Sequence, residues 1–154
     1  MARLEAGRPA PDFSLPADDG STVSLAGLRG TTVALYFYPK DDTTGCTAQA
    51  CEFRDMRDDY DAAGVRVIGV SPDPPTSHVT FRDTHGLPFT LLSDADHATA
   101  EAYGVWVEKS MYGRTYMGIE RSTFVIGPDG VITHALYKVR PTGHAASVLE
   151  LAGA

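Results

Sequence analysis

Of the two cysteines of this chain, Cys46 lies at the end of the stretch Tyr38-Pro39-Lys40-Asp41-Asp42-Thr43-Thr44-Gly45-Cys46-Thr47 and Cys51 follows it five residues later. An apolar, strand-like run from Val33 to Tyr38 stops just before the turn, and an amphipathic helical pattern follows it. A cysteine at such a turn sits at the positive end of a helix, where its thiolate is stabilised and becomes a nucleophile. A second cysteine within reach can capture an oxidised first one as a disulfide. The pattern points to thiol redox chemistry. Ionisation alone does not make an enzyme of it: a free thiol is about 3% thiolate at pH 7, so full ionisation gains only roughly 30-fold. Enzymes accelerate reactions by at least ~10⁶-fold. The site must also stabilise charge moving onto a leaving oxygen, which calls for fixed donors such as a guanidinium and the free N–H groups of a helix start.

The rest of the chain limits what can hold these thiols. With 154 residues, one domain over 1–154 has enough length for a core that needs neither disulfides nor metal. Apolar content of 43% and charged content of 21% are those of a globular protein. A formal net charge of −7 provides no field to draw in nucleic acid or an anionic membrane. The longest apolar run is the short one before the cysteine turn, far below a bilayer span. The start, Met1 to Pro9, lacks the apolar core of a signal peptide, so a cytoplasmic location is expected. In a reducing compartment two cysteines point to catalysis or metal binding before a structural staple.

The elements expected around the turn are as follows. Alternation around Asp18-Asp19-Gly20 predicts a small N-terminal hairpin from Phe13–Leu15 and Thr22–Leu25. Val33–Tyr38 is a buried central strand. Phe53, Met56, Tyr60 and Ala63 predict one helix over Thr47–Ala63, stopped by Gly64. Val65–Ser71 is the next strand, followed by a helix over Thr76–His85 and a short strand at Phe89–Leu92. Asp94 or Asp96 caps a helix running to Tyr103. Ser122–Ile126, the turn Gly127-Pro-Asp-Gly130 and Val131–Leu136 form a hairpin, and His144–Leu151 a terminal helix. This order predicts an α/β, thioredoxin-like fold: a mixed central sheet flanked by helices, with an N-terminal hairpin.

The pattern Pro39-x-x-x-Thr43-x-x-Cys46 resembles the active-site signature of the peroxiredoxins, thiol peroxidases on a thioredoxin-like core. Thr47, Gln49 and Cys51, then Val105-Trp106 and the run from Tyr112 through Arg121 to Ile126, are similar to the peroxiredoxin Q branch, also called bacterioferritin comigratory protein. The likeness extends from Gly7-Arg-Pro-Ala-Pro-Asp-Phe13 to the C-terminal helix. It implies that Cys46 is the peroxidatic cysteine, whose thiolate attacks a hydroperoxide and becomes a sulfenic acid. Thr43 would hydrogen-bond the thiolate and the peroxide. Arg121 would stabilise the thiolate and hold the peroxide oxygens, Gln49 would help hold Arg121, and Pro39 would shape and shield the turn. Cys51 would be the resolving cysteine, giving an intramolecular Cys46–Cys51 disulfide that thioredoxin or a similar dithiol reduces. The resemblance implies no cofactor (metal, haem or flavin), no nucleic-acid or membrane partner, and a monomer with a weak dimer as the alternative. In one place the chain departs from the branch: Thr44 stands where proline commonly precedes the Gly-Cys pair, which removes a fixed φ angle.

Two other functions remain open at this point. A general thiol-disulfide oxidoreductase would use Cys-x-x-Cys rather than the longer spacing found here. A redox-sensing interaction protein would use the disulfide to alter a binding surface. A zinc site is disfavoured, since His78, His85, His97, His134 and His144 are scattered, and each is expected as a surface or capping residue. Asp41 and Asp42 are expected as solvated turn residues, and Trp106, Tyr112 and Tyr116 as core or loop packing, with a wall of the peroxide pocket as the alternative.

Overall fold

The apolar run before the cysteine turn forms the middle of a five-stranded sheet, because every side chain from Val33 to Phe37 gains by leaving water on one sheet face or the other. The computed structural model describes residues 3–153. In chain order, β1 (Ser14–Pro16) and β2 (Thr22–Ser24) pair as the expected N-terminal hairpin, and β3 is Thr32–Phe37. Helices α1 (Thr44–Asp55) and α2 (Arg57–Ala63) precede β4 (Val65–Ser71). Then come α3 (Pro75–His85), β5 (Thr90–Ser93), α4 (Ala98–Ala102), β6 (Trp106–Met111) and β7 (Arg114–Ile119). Strands β8 (Ser122–Ile126) and β9 (Ile132–Leu136) and helix α5 (His144–Ala152) complete the fold.

The sheet order is β5-β4-β3-β8-β9, parallel across β5, β4 and β3 and antiparallel from β3 through β8 to β9. Alternation along β3 serves two cores. Val33, Leu35 and Phe37 pack with Ile68, Val70, Phe124 and Tyr103 on one face. Ala34 and Tyr36 pack with Phe53, Tyr60, Phe81 and Val148, from the helices α1, α2, α3 and α5, on the other. Cys46 belongs to this second core. Among the described residues no helix is long and apolar enough to cross a membrane.

Two expectations about the elements are corrected. The single helix expected over Thr47–Ala63 starts three residues earlier, at Thr44, and is broken at Met56, where φ −99° and ψ 13° interrupt the regular turn. Phe53 and Tyr60, from the two segments, still reach one core, so the apolar spacing was continuous across a break it could not report. Gly64 ends α2 in the left-handed region at φ 70°, as expected. The hairpin of β6 and β7 was not expected as an element. Its strands are mostly exposed, and Met111, Tyr116 and Met117 stand in solvent, so the sequence carries no buried alternation there.

Candidate active site

The start of α1 puts Cys46 in the helix's first turn. Thr43 is the N-cap, in extended conformation, and the first intrahelical bond runs from the Thr47 N–H to the Thr43 carbonyl at 2.8 Å. The N–H groups of Thr44, Gly45 and Cys46 come before it and point out of the positive end of the helix. The sulfur itself is buried, with Cys46 2% exposed.

Arg121 comes to it from the far end of the sequence. It lies between β7 and β8, and two backbone bonds and one side-chain bond hold that junction: Glu120 N–H to the Val105 carbonyl at 2.8 Å, Val139 N–H to the Arg121 carbonyl at 2.9 Å, and the Ser122 hydroxyl to the Glu120 carbonyl at 2.9 Å. From there Nη2 donates to Cys46 Sγ at 3.3 Å and Nη1 donates to Gln49 Oε1 at 2.6 Å. Gln49 is fully buried and sits three residues after Cys46, so the two side chains share a helix face and one guanidinium can span both. This planar fork is a fixed donor aimed at a sulfur nucleophile. Gly45 leaves room for it, because a Cβ at that position would stand 3.2 Å from Arg121 Nη2 and 3.5 Å from Pro141.

Thr43 is placed differently from the expectation that it bonds the sulfur. Its hydroxyl donates to the Lys40 carbonyl at 3.0 Å, so its proton is turned back into the turn and its oxygen remains an acceptor. Pro39 is half-buried at the turn's entrance. Cys51 is half-buried, and both thiols are free. Because Cys46 and Cys51 share the uninterrupted helix α1, the five-residue step separates their Cα atoms by ~8.6 Å with side chains on different sides. A disulfide needs roughly 4.4–6.8 Å. The structure is therefore that of the dithiol state.

A cleft of about 530 Å³ opens beside Arg121, lined also by Val107, Lys109, Tyr116, Lys138 and Val139. Lys109 was not singled out from the sequence, because a lysine on an exposed hairpin looks like any solvated charge. Burial and the Arg121 guanidinium push its ammonium down, against the pull of Cys46 and Glu120. Tyr112 is 98% exposed at the hairpin tip and Trp106 packs against the core and stacks on the His97 ring at 3.9 Å, as loop and core residues, whereas Tyr116 lines the cleft.

Three more expectations are corrected around the turn. Asp41 is buried, not solvated: its carboxylate accepts from Tyr38 Oη at 2.6 Å, His78 Nδ1 at 2.7 Å and Ser77 Oγ at 2.8 Å. Burial works to raise its carboxyl pKa, but the bonds from His78, Tyr38 and Ser77 outweigh burial and hold it below the usual range. His78 is completely buried, and His144 is buried with Nε2 at 2.7 Å from Thr123 Oγ1. Burial, aided by Arg121, lowers His144 to about 4. Sequence spacing gave one usable sign of His78: it lies three residues before Phe81, on the inward face of α3.

Residues 6–135 match the model of the AhpC/TSA family. The chain is 48% identical over 150 residues to the peroxiredoxin Bcp of Escherichia coli K12, covering 97% of this chain and 96% of that protein. It is 46% identical over 147 residues to the peroxiredoxin Bcp of Bacillus subtilis, covering 96% and 94%. Among solved structures, a trapped intermediate/ligand complex of the Xanthomonas campestris bacterioferritin comigratory protein, studied for its alkyl peroxide reduction activity, superposes with a TM-score of 0.88. That match is at 39% identity and covers 95% of this chain and 96% of that one.

Proposed function

The chain belongs to the AhpC/TSA family, as a thiol peroxidase of its Bcp or peroxiredoxin Q branch, and from that premise we propose how its own residues divide the work. The Cys46 thiolate attacks one oxygen of a hydroperoxide, forming the S–O bond as the O–O bond breaks, and the departing alkoxide or hydroxide takes up a proton. Arg121, held by Gln49, stabilises the thiolate and then the charge on the leaving oxygen. Thr43 Oγ1, its own proton committed to Lys40, accepts a hydrogen bond from the peroxide hydroxyl. Pro39 fixes the entry of the turn.

The Cys51 thiol next attacks the sulfenic sulfur, releasing water and closing the Cys46–Cys51 disulfide. A dithiol such as thioredoxin reduces it by exchange. Hydrogen peroxide and organic hydroperoxides are the substrates: the cleft beside Arg121 has room for an organic tail, and the Xanthomonas campestris relative is described by its alkyl peroxide reduction. The enzyme works as a monomer in the cytoplasm, where a reducing thiol pool can regenerate it.

One observation supports this reading above the rest: a guanidinium bonded at once to a buried sulfur in a helix's first turn and to the glutamine one turn further on. The test is a single-turnover assay of the reduced protein with hydrogen peroxide. Cys46→Ser should consume none. Cys51→Ser should consume one equivalent and then stall in a thioredoxin-coupled assay with a trapped sulfenic acid. Undiminished consumption in Cys46→Ser would reject the assignment.

A further inference from the structure

Just upstream of Cys46 lies a group of buried polar residues that the peroxide chemistry does not use. His78, on α3, is completely buried and has both ring nitrogens within bonding distance of acceptors: Nδ1 is 2.7 Å from Asp41 Oδ2, and Nε2 is 2.9 Å from the Leu92 carbonyl of β5. A carbonyl oxygen can only accept, so Nε2 carries a hydrogen. Asp41 already accepts from the Tyr38 phenol and the Ser77 hydroxyl, as an ionised carboxylate does, so Nδ1 carries one as well. A histidine with two N–H groups is a cation. The remaining groups around it are consistent with that charge. Tyr38, the residue after β3, is pushed far up by burial and remains a neutral donor; its Oη also lies 3.4 Å from His78 Nδ1, but its one hydrogen goes to Asp41 at 2.6 Å. Asp73, in the turn between β4 and α3, takes the Asp41 backbone N–H at 2.7 Å and the Ser71 hydroxyl at 2.8 Å. On the surface, His85 on α3 faces Asp42 at 3.1 Å.

We propose that His78 and Asp41 form a buried imidazolium–carboxylate pair that clamps the turn presenting Thr43 and Cys46, which makes both of them positioning residues for peroxide reduction. The turn is short and the clamp is close. The Tyr38 N–H is fixed to the Val70 carbonyl at 3.0 Å, Asp41 is fixed on both side chain and backbone, and only Asp42 separates it from the N-cap Thr43. Asp42 adopts φ 63°, where a non-glycine residue is held by its surroundings rather than by preference. The Lys40 carbonyl, next to Asp41, receives the Thr43 hydroxyl and so sets which way that oxygen faces. A clamp on Asp41 therefore fixes the direction of the acceptor for the peroxide. Buried ion pairs contribute little net stability but strongly resist loss of one partner, which suits a role in geometry more than in stability.

The inference rests on the reading of Cys46 as the reacting thiol, but its first test does not. In the reduced protein labelled with ¹⁵N-histidine, both His78 nitrogens should show bonded hydrogens at pH 7; one bare nitrogen would overturn the pair. The second test compares two reactions of Cys46. Asp41→Asn keeps a hydrogen bond to a neutral His78 while removing the charge pair. Its second-order rate with hydrogen peroxide should fall by up to about 100-fold, the cost of a reacting group displaced by about an ångström. Alkylation of Cys46 by iodoacetamide, which needs no aligned peroxide acceptor, should keep its wild-type rate. His78→Gln should behave in the same way, and Asp73→Asn, which weakens the backbone tether of Asp41 and leaves its bond to His78, should give a smaller loss of the same kind. If Asp41→Asn or His78→Gln does not fold, Asp73→Asn and the labelled wild-type spectrum still decide. Equal losses in both reactions would mean general disruption, and no loss in either would mean no role; both results sink the proposal.

Discussion

At the scale of single residues, the site depends on one guanidinium doing two things at fixed spacing. Nη1 is committed to Gln49 and Nη2 to Cys46, so the charge cannot be moved without breaking the geometry. Lysine preserves the charge but presents a point donor on a flexible stem, and it cannot bridge the amide and the sulfur as a rigid fork does. Arg121→Lys should therefore lower the second-order peroxide rate by about 100-fold, the usual loss when a fixed donor to a developing anion is removed. Gln49→Ala should cost less, since the guanidinium keeps its bond to sulfur but loses the partner that orients it. Stopped-flow peroxide kinetics on both variants measure this, and a wild-type rate in Arg121→Lys would show that the fork is unimportant. These residues were unequally legible. The cysteines announced themselves by sitting between a strand pattern and a helix pattern. Arg121, 75 positions from Cys46, had no local signal of its own and was found only through resemblance. Asp41 and Lys109 had neither, and His78 only its spacing from Phe81, because in a sequence a buried polar group and a solvated one look the same.

At the scale of the element, α1 carries two incompatible demands. As an intact helix it aims its free N–H groups at the thiolate, and as an intact helix it holds Cys46 and Cys51 too far apart to bond. Oxidation of the sulfur removes the anion that favoured the helix and so shifts the balance toward an unwound segment. Amides from Thr44 to Met56 should exchange hydrogen markedly faster in the disulfide form than in the dithiol form. Equal protection in both, with the bond confirmed by mass spectrometry, would exclude unwinding. Thr44 adjusts the same balance. It is the first helical residue, its N–H lies outside the intrahelical ladder, and Thr43 before it is extended at φ −80° and ψ 158°, the conformation a following proline requires. Thr44→Pro should stabilise the dithiol form by roughly 0.4–1 kcal/mol and slow disulfide closure, read as a higher midpoint in urea and a slower resolution step. The break at Met56 bears on this too: it limits the cooperative unit to the twelve residues of α1, and the apolar spacing that predicted one long helix had no way to reveal it.

At the scale of the whole molecule, the sheet was the most legible feature, since β3, β4 and β8 are largely apolar and, apart from Thr32 and Arg66, buried, and the hairpin of β8 and β9 carries its turn in Gly127-Pro-Asp-Gly130. The two-sided core was less so, because the hairpin of β6 and β7 is exposed and a histidine on the inward face of a helix is not told from its type alone. His144 shows what such a residue does to global stability. It opens α5, packs beside Phe53 in the helical core and bonds Thr123 of β8, so it ties the terminal helix to the sheet. Burial first, and Arg121 second, hold its pKa at about 4 in the folded protein, against about 6.5 in an unfolded chain. Between those values the unfolded chain binds a proton that the folded protein refuses, so stability rises with pH across this range. The contribution is fully present above pH 6.5 and is lost as pH falls toward 4. Between pH 7 and pH 5 the loss should be roughly 2 kcal/mol from this residue. Asp41, whose carboxyl lies below its ordinary value, adds a further loss only at still lower pH, as it begins to take up a proton. Urea unfolding at the two pH values measures the difference, and His144→Gln, which cannot titrate, should flatten it even if the variant is less stable at pH 7. A wild-type curve equally stable at pH 7 and pH 5, or an unchanged pH slope in His144→Gln, would show that the imidazole takes up its proton without disturbing the contact between α5 and the sheet.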